Sequence, residues 1–291
     1  MEQHSENNIN RPDPIEVSKR ISKIAANIDK QSWGLKSGLT ELDEALLGFH
    51  GGELIVIAGR PSIGKTSLST GIANGISESA KTLYFSLELS SKVIQERLLC
   101  QQAELNYYDI KRNGIGNNEV NLSKATKVIE SRHLYIDDAP SLNPIEFQQI
   151  IEKNNIECAI VDYVQLASSG AWSENRVKEI DVICRELRAT AKIFDIPIIL
   201  LAQLNRQVEQ RKEHRPLLCD LRDSGSIEQL AQIVILIHRP SFYEERELGI
   251  STEDTWDAEL IIAKNYNGPT GVVNVGFIPH SMKFVSKGAF A

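Results

Sequence analysis

Residues 53–66 read ELIVIAGRPSIGKT, a short apolar run that breaks at a glycine-bounded octet and then opens a helical pattern. The octet Gly59-Arg60-Pro61-Ser62-Ile63-Gly64-Lys65-Thr66, with Ser67 after it, matches the spacing GxxxxGK[ST]. Glycine lets a backbone wrap close to phosphate, and exposed amides at a helix start attract anionic oxygens. The ammonium of Lys65 suits the β- and γ-phosphates, and the hydroxyl of Thr66 suits Mg²⁺. These nine residues are therefore the expected cradle for ATP and Mg²⁺.

On either side of this stretch, β-rich runs alternate with helical patterns. ELIVIAG is followed by a helix over 65–77, TLYFSLEL by one over 93–103, HLYIDD by one over 144–154, and ECAIVDYVQL by a long helix over 174–194 that leads into PIILLAQL. Strands apolar almost throughout are buried on both faces, which requires a mostly parallel, twisted α/β sheet flanked by helices, with chemistry at the carboxyl ends of its strands. Toward the C-terminus, IVILIH, AELIIAK and VVNVGFI are strands, and Asn267-Gly268-Pro269 marks a β-hairpin turn between the last two.

Two acids complete the expected site. Asp162 ends the buried run IECAIVD, where a carboxylate can hold Mg²⁺ through its water shell. Glu88 ends the strand after the helix that follows the glycine loop. Doubly wound topology brings that strand end near the γ-phosphate, so Glu88 is the expected base for the attacking water.

The 291 residues are enough for one sizeable core, and a net charge of −7 argues against a protein that coats nucleic acid through its overall field. Any contact with DNA or RNA must come from local basic loops. No run reaches the ~18 apolar residues of a membrane span, and MEQHSENNINRPDP has no signal-peptide pattern, so a cytoplasmic protein without membrane contact is expected. Cys100, Cys158, Cys184 and Cys219 lack the spacing of a zinc site or a disulfide framework.

Residues 1–13 are expected to be a disordered tail. Over 14–33, Ile15, Val17, Ile21, Ile24 and Ile28 make an amphipathic linker helix that leads into a loop rich in Gly and Ser. That helix either packs on another surface or caps its own domain. The ATPase domain is expected over 34–291.

FSLELS, IVDYVQL, AQLNRQVEQR, RPLLCDLRDSGSIEQ and AKNYNGPTG, in that order, resemble the successive motifs of DnaB-type replicative helicases. The resemblance covers about residues 34–286 and implies a RecA-like P-loop ATPase domain preceded by a linker helix, the family's globular N-terminal domain having no counterpart here. It implies an ATP-hydrolysing DNA helicase or translocase, a homo-oligomer, in that family a hexameric ring, that threads single-stranded DNA and meets other replication proteins. By position it implies that Gln203 senses the γ-phosphate, that Arg97 and Gln101 pack around adenine, and that Arg222, Asp223 and Gly225 touch the sugar-phosphate backbone of DNA. In the family's hairpin a Lys and an Arg two positions apart reach the γ-phosphate of the next subunit. Lys264 keeps the first, whereas the second is Tyr266, a neutral side chain that cannot stabilise the transferring phosphoryl group as a guanidinium does. A binding or regulatory paralogue with weak hydrolysis therefore stands beside the motor, and a RecA-type recombinase is a third reading that DLRDSGSIEQ disfavours.

Lys65→Ala is expected to abolish ATP binding while leaving the fold intact. Titration with a fluorescent ATP analogue, with circular dichroism as the check on folding, tests this; near-normal affinity would contradict the P-loop assignment.

Overall fold

The computed structural model describes residues 21–22, 33–163, 176–248 and 256–290, without the side chains of 176–177, 222–226, 245–248, 256 and 289–290. The chain forms two units, Met1–Ser32 and Trp33–Ala291. The expected tail over 1–13 and the linker helix, apart from the helical and exposed Ile21 and Ser22, lie outside the described residues.

The second unit is built on one nine-stranded sheet in the order β3-β2-β4-β5-β1-β6-β7-β8-β9. Strands β1 (Leu54–Gly59), β2 (Thr82–Ser86), β3 (Leu134–Asp137), β4 (Cys158–Asp162), β5 (Ile198–Gln203) and β6 (Ile233–His238) run parallel, while β7 (Trp256–Asn265), β8 (Gly271–Ile278) and β9 (Lys283–Ser286) extend the sheet antiparallel. This is the expected mostly parallel α/β sheet with a C-terminal β-hairpin. Its turn holds because the Asn265 side chain accepts from Asn267 N at 3.2 Å and donates to Pro269 O at 3.3 Å.

Strand alternation divides the core in two. Ile55, Ile57, Tyr84, Ile160, Ile199 and Leu201 face one layer, which contains Leu68, Ile72 and Ile76 of the helix Lys65–Ile76. Their neighbours Leu54, Val56, Phe85, Val161, Ile198 and Leu200 face the other, against the helices Pro144–Asn154 and Arg176–Phe194. The first of these begins with Pro144 and is capped by Asn143, whose side chain accepts from Ile145 N at 3.0 Å.

Three segments differ from the expectation. The Gly- and Ser-rich loop contains a helix, Thr40–Leu46, because Leu39, Leu42 and Leu46 share one buried face and the Asp43 carboxylate accepts from both Ser37 N and Ser37 Oγ at 2.6 Å. Helices Tyr107–Asn113 and Glu119–Glu130 fill the region between the expected helix over 93–103 and β3. They pack chiefly a small satellite cluster around Ala103, Leu105 and Ala125, with Ile129 reaching the main core. Beyond the hairpin, β9 adds an edge strand. Among the described residues no helix is long and apolar enough to cross a membrane.

Phe147 is 1% exposed and meets the edge of Phe85 with ring centroids 5.8 Å apart. Phe147→Ala should cost about 3–5 kcal/mol of unfolding free energy, whereas truncating Val120, 65% exposed, should cost less than about 0.5 kcal/mol. Urea denaturation of the two variants measures the contrast.

Candidate nucleotide-binding site

The loop after β1 is braced from below. Gly64 has φ 110°, and a Cβ there would lie 3.0 Å from the ring of Phe284, so conformation and space both require glycine. Ile63 is fully buried, and its carbonyl accepts from Arg239 Nη1 at 3.1 Å, with the Arg239 guanidinium 3.6 Å from the ring centroid of Phe277. Lys65 folds back, its Nζ donating to Gly59 O and Arg60 O at 3.2 Å each. Burial lowers the pKa of this ammonium, and the Asp162 and Glu88 carboxylates pull it back up. A cation held only by neutral carbonyls can turn to phosphate without breaking an ion pair.

Asp162 is fully buried at the end of β4. Its Oδ2 accepts from Thr66 Oγ1 at 2.9 Å and from Tyr84 OH at 2.8 Å, and Tyr84 OH also shares a 2.8 Å hydrogen bond with Ser69 Oγ. The other oxygen, Oδ1, is buried without a partner among the described residues. Burial pushes the carboxyl pKa up, while the Tyr84 and Thr66 hydroxyls hold it down. An unpaired buried carboxylate oxygen beside a threonine hydroxyl is a set of hard oxygen donors that suits Mg²⁺ and its water shell.

A cleft of about 400 Å³ opens over the loop and gathers Pro61, Ser62, Gly64, Lys65, Thr66 and Ser67 with Glu88, Arg97 and Gln203. The parallel order sets this convergence. β5 lies beside β1, with Gly59 paired to Gln203, and β4 lies beside β2, with Ser86 paired to Asp162. Glu88 is exposed two residues past the end of β2. Tyr163 and Met282 also line the cleft and are absent from the expected set. Tyr163 follows Asp162 directly in the sequence, a usable signal; Met282 comes from the β8–β9 turn, which no local pattern announces.

Other expected residues lie elsewhere. Arg60 is 6% exposed and turns away from the cleft, donating to Leu204 O at 2.7 Å and pairing with Glu209 at 3.0 Å, so its side chain anchors the loop, and only its backbone is left to face phosphate. Ile63 and Gly59 likewise act through packing, since a Cβ on Gly59 would meet Ile63 Cγ2 at 2.6 Å. Gln101 shares a helix face with Arg97 but lies one turn deeper. Its amide donates to Ser67 O at 3.1 Å and Met282 O at 2.9 Å and accepts from Thr70 at 3.1 Å, so it ties elements together in place of facing a base. Lys264 is outside the cleft, donating to Glu228 O at 2.7 Å. Arg222 and Asp223 lie in the 3₁₀ turn Leu218–Ser224 and Gly225 starts the helix Gly225–Leu230, a helical backbone where a loop was expected; their side chains lie outside the described residues.

The raised pKa of Asp162 fixes a sign. A carboxyl whose folded pKa lies above its unfolded value adds stability below the unfolded pKa and loses it as pH rises through the folded one. At neutral pH, above the unfolded pKa, Asp162 therefore weakens the protein without nucleotide. Asp162→Asn should raise Tm at pH 7, with a gain that shrinks as pH falls toward the ordinary carboxyl range, while Mg²⁺-dependent ATP binding is lost. Calorimetry across that pH range, with nucleotide titration, checks both halves; a lower Tm at pH 7 would contradict the electrostatic assignment.

The family model for the DnaB-like helicase C terminal domain matches residues 34–286. The chain is 37% identical over 270 residues to the replicative DNA helicase DnaB of Leifsonia xyli subsp. xyli, covering 90% of this chain and 58% of that protein. It is 34% identical over 261 residues to the replicative DNA helicase DnaC of Bacillus subtilis, covering 87% and 56%. The chain thus spans under three fifths of the length of these relatives. Among solved structures, an isolated ATPase domain superimposes with a TM-score of 0.85 at 29% identity, covering 94% of this chain and 99% of that one. A DnaB-like replicative helicase, described with its interactions with primase, gives 0.82 at 29% identity, covering 94% and 67%. With the glycine loop, the Thr66–Asp162 pair and the RecA-like strand order in place, this chain belongs to the DnaB-like helicase C-terminal domain family.

Proposed function

We propose that the protein is an ATP-dependent DNA helicase or translocase subunit that works in the cytoplasm as a homo-oligomer, a hexameric ring, on single-stranded DNA. The observation that carries this reading is the convergence of Lys65, Thr66, Glu88 and Gln203 around one cleft at the carboxyl ends of adjacent strands, with Asp162 accepting from Thr66. Each has a distinct task. Lys65 leaves the Gly59 and Arg60 carbonyls to neutralise the β- and γ-phosphates. Thr66 and Asp162 hold Mg²⁺, which when bound offsets charge on the phosphate oxygens. Glu88 takes a proton from water as its oxygen bonds to the γ-phosphorus. The bond from that phosphorus to the β–γ bridging oxygen breaks, and ADP leaves with the electron pair. Gln203, beside the loop in register with Gly59, has an amide that can donate to the γ-phosphate and accept from water, so phosphate release reaches β5. Arg97 borders the base end of the cleft.

Arg222, Asp223 and Gly225 are assigned to the DNA backbone, where phosphate contacts are indifferent to base sequence, as a motor needs. Other replication proteins are further partners, in keeping with the structural relative described with primase. A second reading, a paralogue that binds ATP and DNA or a replicative helicase with weak hydrolysis, is favoured by one observation, the neutral Tyr266 at the hairpin.

Glu88→Gln should bind Mg·ATP with near wild-type affinity and lose turnover by about 10²–10⁴-fold, because the amide keeps the shape and removes the base. Paired nucleotide titrations and steady-state rates test this; equal loss of binding would make Glu88 structural.

A further inference from the structure

One stretch of the chain touches both the glycine loop and the turn that carries Arg222 and Asp223. It runs from Leu204, just past β5, to Arg211, and its middle is the 3₁₀ helix Arg206–Gln210. At its start, Leu204 N donates to Gly59 O at 3.2 Å and Leu204 O accepts from Arg60 Nη1 at 2.7 Å. Arg60 Nε and Nη2 also donate to Glu209 Oε1, at 3.1 and 3.0 Å, so one buried guanidinium holds two points of the stretch. At the far end the Arg211 guanidinium grips the Asp220 carboxylate with two bonds, Nη1 to Oδ2 at 2.6 Å and Nη2 to Oδ1 at 2.7 Å. Asp220 is 1% exposed and lies in the turn Leu218–Ser224, and its carbonyl accepts from Asn205 N at 3.0 Å. The turn is thus attached near both ends of the stretch. Between the attachments the stretch is stiff, because the Asn205 side chain accepts from Gln207 N at 3.0 Å and Val208 is fully buried.

The loop end of this chain of contacts is also the part that phosphate disturbs. Lys65 Nζ donates to Gly59 O and Arg60 O, and Gly59 O is shared with Leu204 N. When Lys65 turns to phosphate, both carbonyls lose that cation, and the residues that lose it are the two that hold the stretch. A closely packed run of buried hydrogen bonds moves as a body and does not absorb such a shift locally. Resting on the DNA assignment of the turn given above, we propose that Glu209 and Arg211 are positioning residues that transmit nucleotide occupancy from the glycine loop to the turn, and so to the DNA backbone. Neither touches the reacting atoms. Forked guanidinium pairs suit the task, since two bonds from one planar group fix direction as well as distance.

Coupling of this kind is a ratio of affinities, which a purely structural role does not move. In the wild-type protein, Mg²⁺ with a non-hydrolysable ATP analogue should change the affinity for single-stranded DNA about fivefold or more, and DNA should change the affinity for the analogue by the same factor. In Glu209→Gln each ligand should bind alone within about twofold of wild type, while that factor falls toward one. Arg211→Lys, which keeps a charge beside buried Asp220 and loses the fork, should do the same with an unchanged circular dichroism spectrum. A second readout needs no DNA. Cys219 is exposed in the turn, whereas Cys100, Cys158 and Cys184 are buried, so the rate at which a thiol reagent labels Cys219 should respond to the analogue in the wild type and stay level in both variants. A factor and a labelling response that both survive in the variants overturn the proposal, as does a wild-type labelling rate indifferent to the analogue. Weaker DNA binding without nucleotide, with the factor kept, also overturns it and makes the pairs a structural anchor. A labelling response that the variants abolish, in a protein that binds no single-stranded DNA in any state, upholds the link and removes the DNA assignment instead.

Discussion

A carboxylate buried beyond the reach of bulk water, Asp162, is the constraint around which the domain is arranged. An ionised group there costs several kcal/mol unless the fold supplies donors and opposite charge. The compensation comes from separate parts of the chain: Thr66 at the start of the loop helix, Tyr84 on β2, and the field of Lys65. The β2-β4-β5-β1 order is what brings these parts together. Compensation stops short of completion, because among the described residues Oδ1 has no partner. Stability is thereby given up at a set of oxygen donors that suits Mg²⁺, a common outcome where a protein must bind ligand.

The same strand order separates two kinds of chemistry. Carboxyl ends carry the nucleotide cleft, and amino ends carry a cleft lined by Arg188, Lys192 and Lys264. Because β6, β7 and β8 are paired in one continuous sheet, Phe277 and Phe284 brace the loop at one end while Lys264 and Tyr266 stand at the other.

Much of this was legible in the sequence because it depends on local chemistry. ELIVIAGRPSIGKT contains its own strand, turn and helix start, and runs such as ECAIVD and PIILLAQ are too apolar to be anything but strands buried on both faces. What was illegible depends on contacts between distant segments. Arg60 lies within the octet, yet its side chain is claimed by Glu209, 149 residues away. Gln101 is drawn inward by the Met282 carbonyl, 181 residues away. The helix Thr40–Leu46 was hidden by flanking glycines, and the pair over 107–130 by its sparse apolar content.

Coupling of ATP hydrolysis to a strand of DNA is tested most directly by one rate measured twice. Steady-state hydrolysis of Mg·ATP by the assembled wild-type protein should rise strongly when saturating single-stranded DNA is added at fixed salt. Nucleotide binding at normal affinity with a hydrolysis rate indifferent to DNA would contradict that coupling and leave the non-motor paralogue in its place.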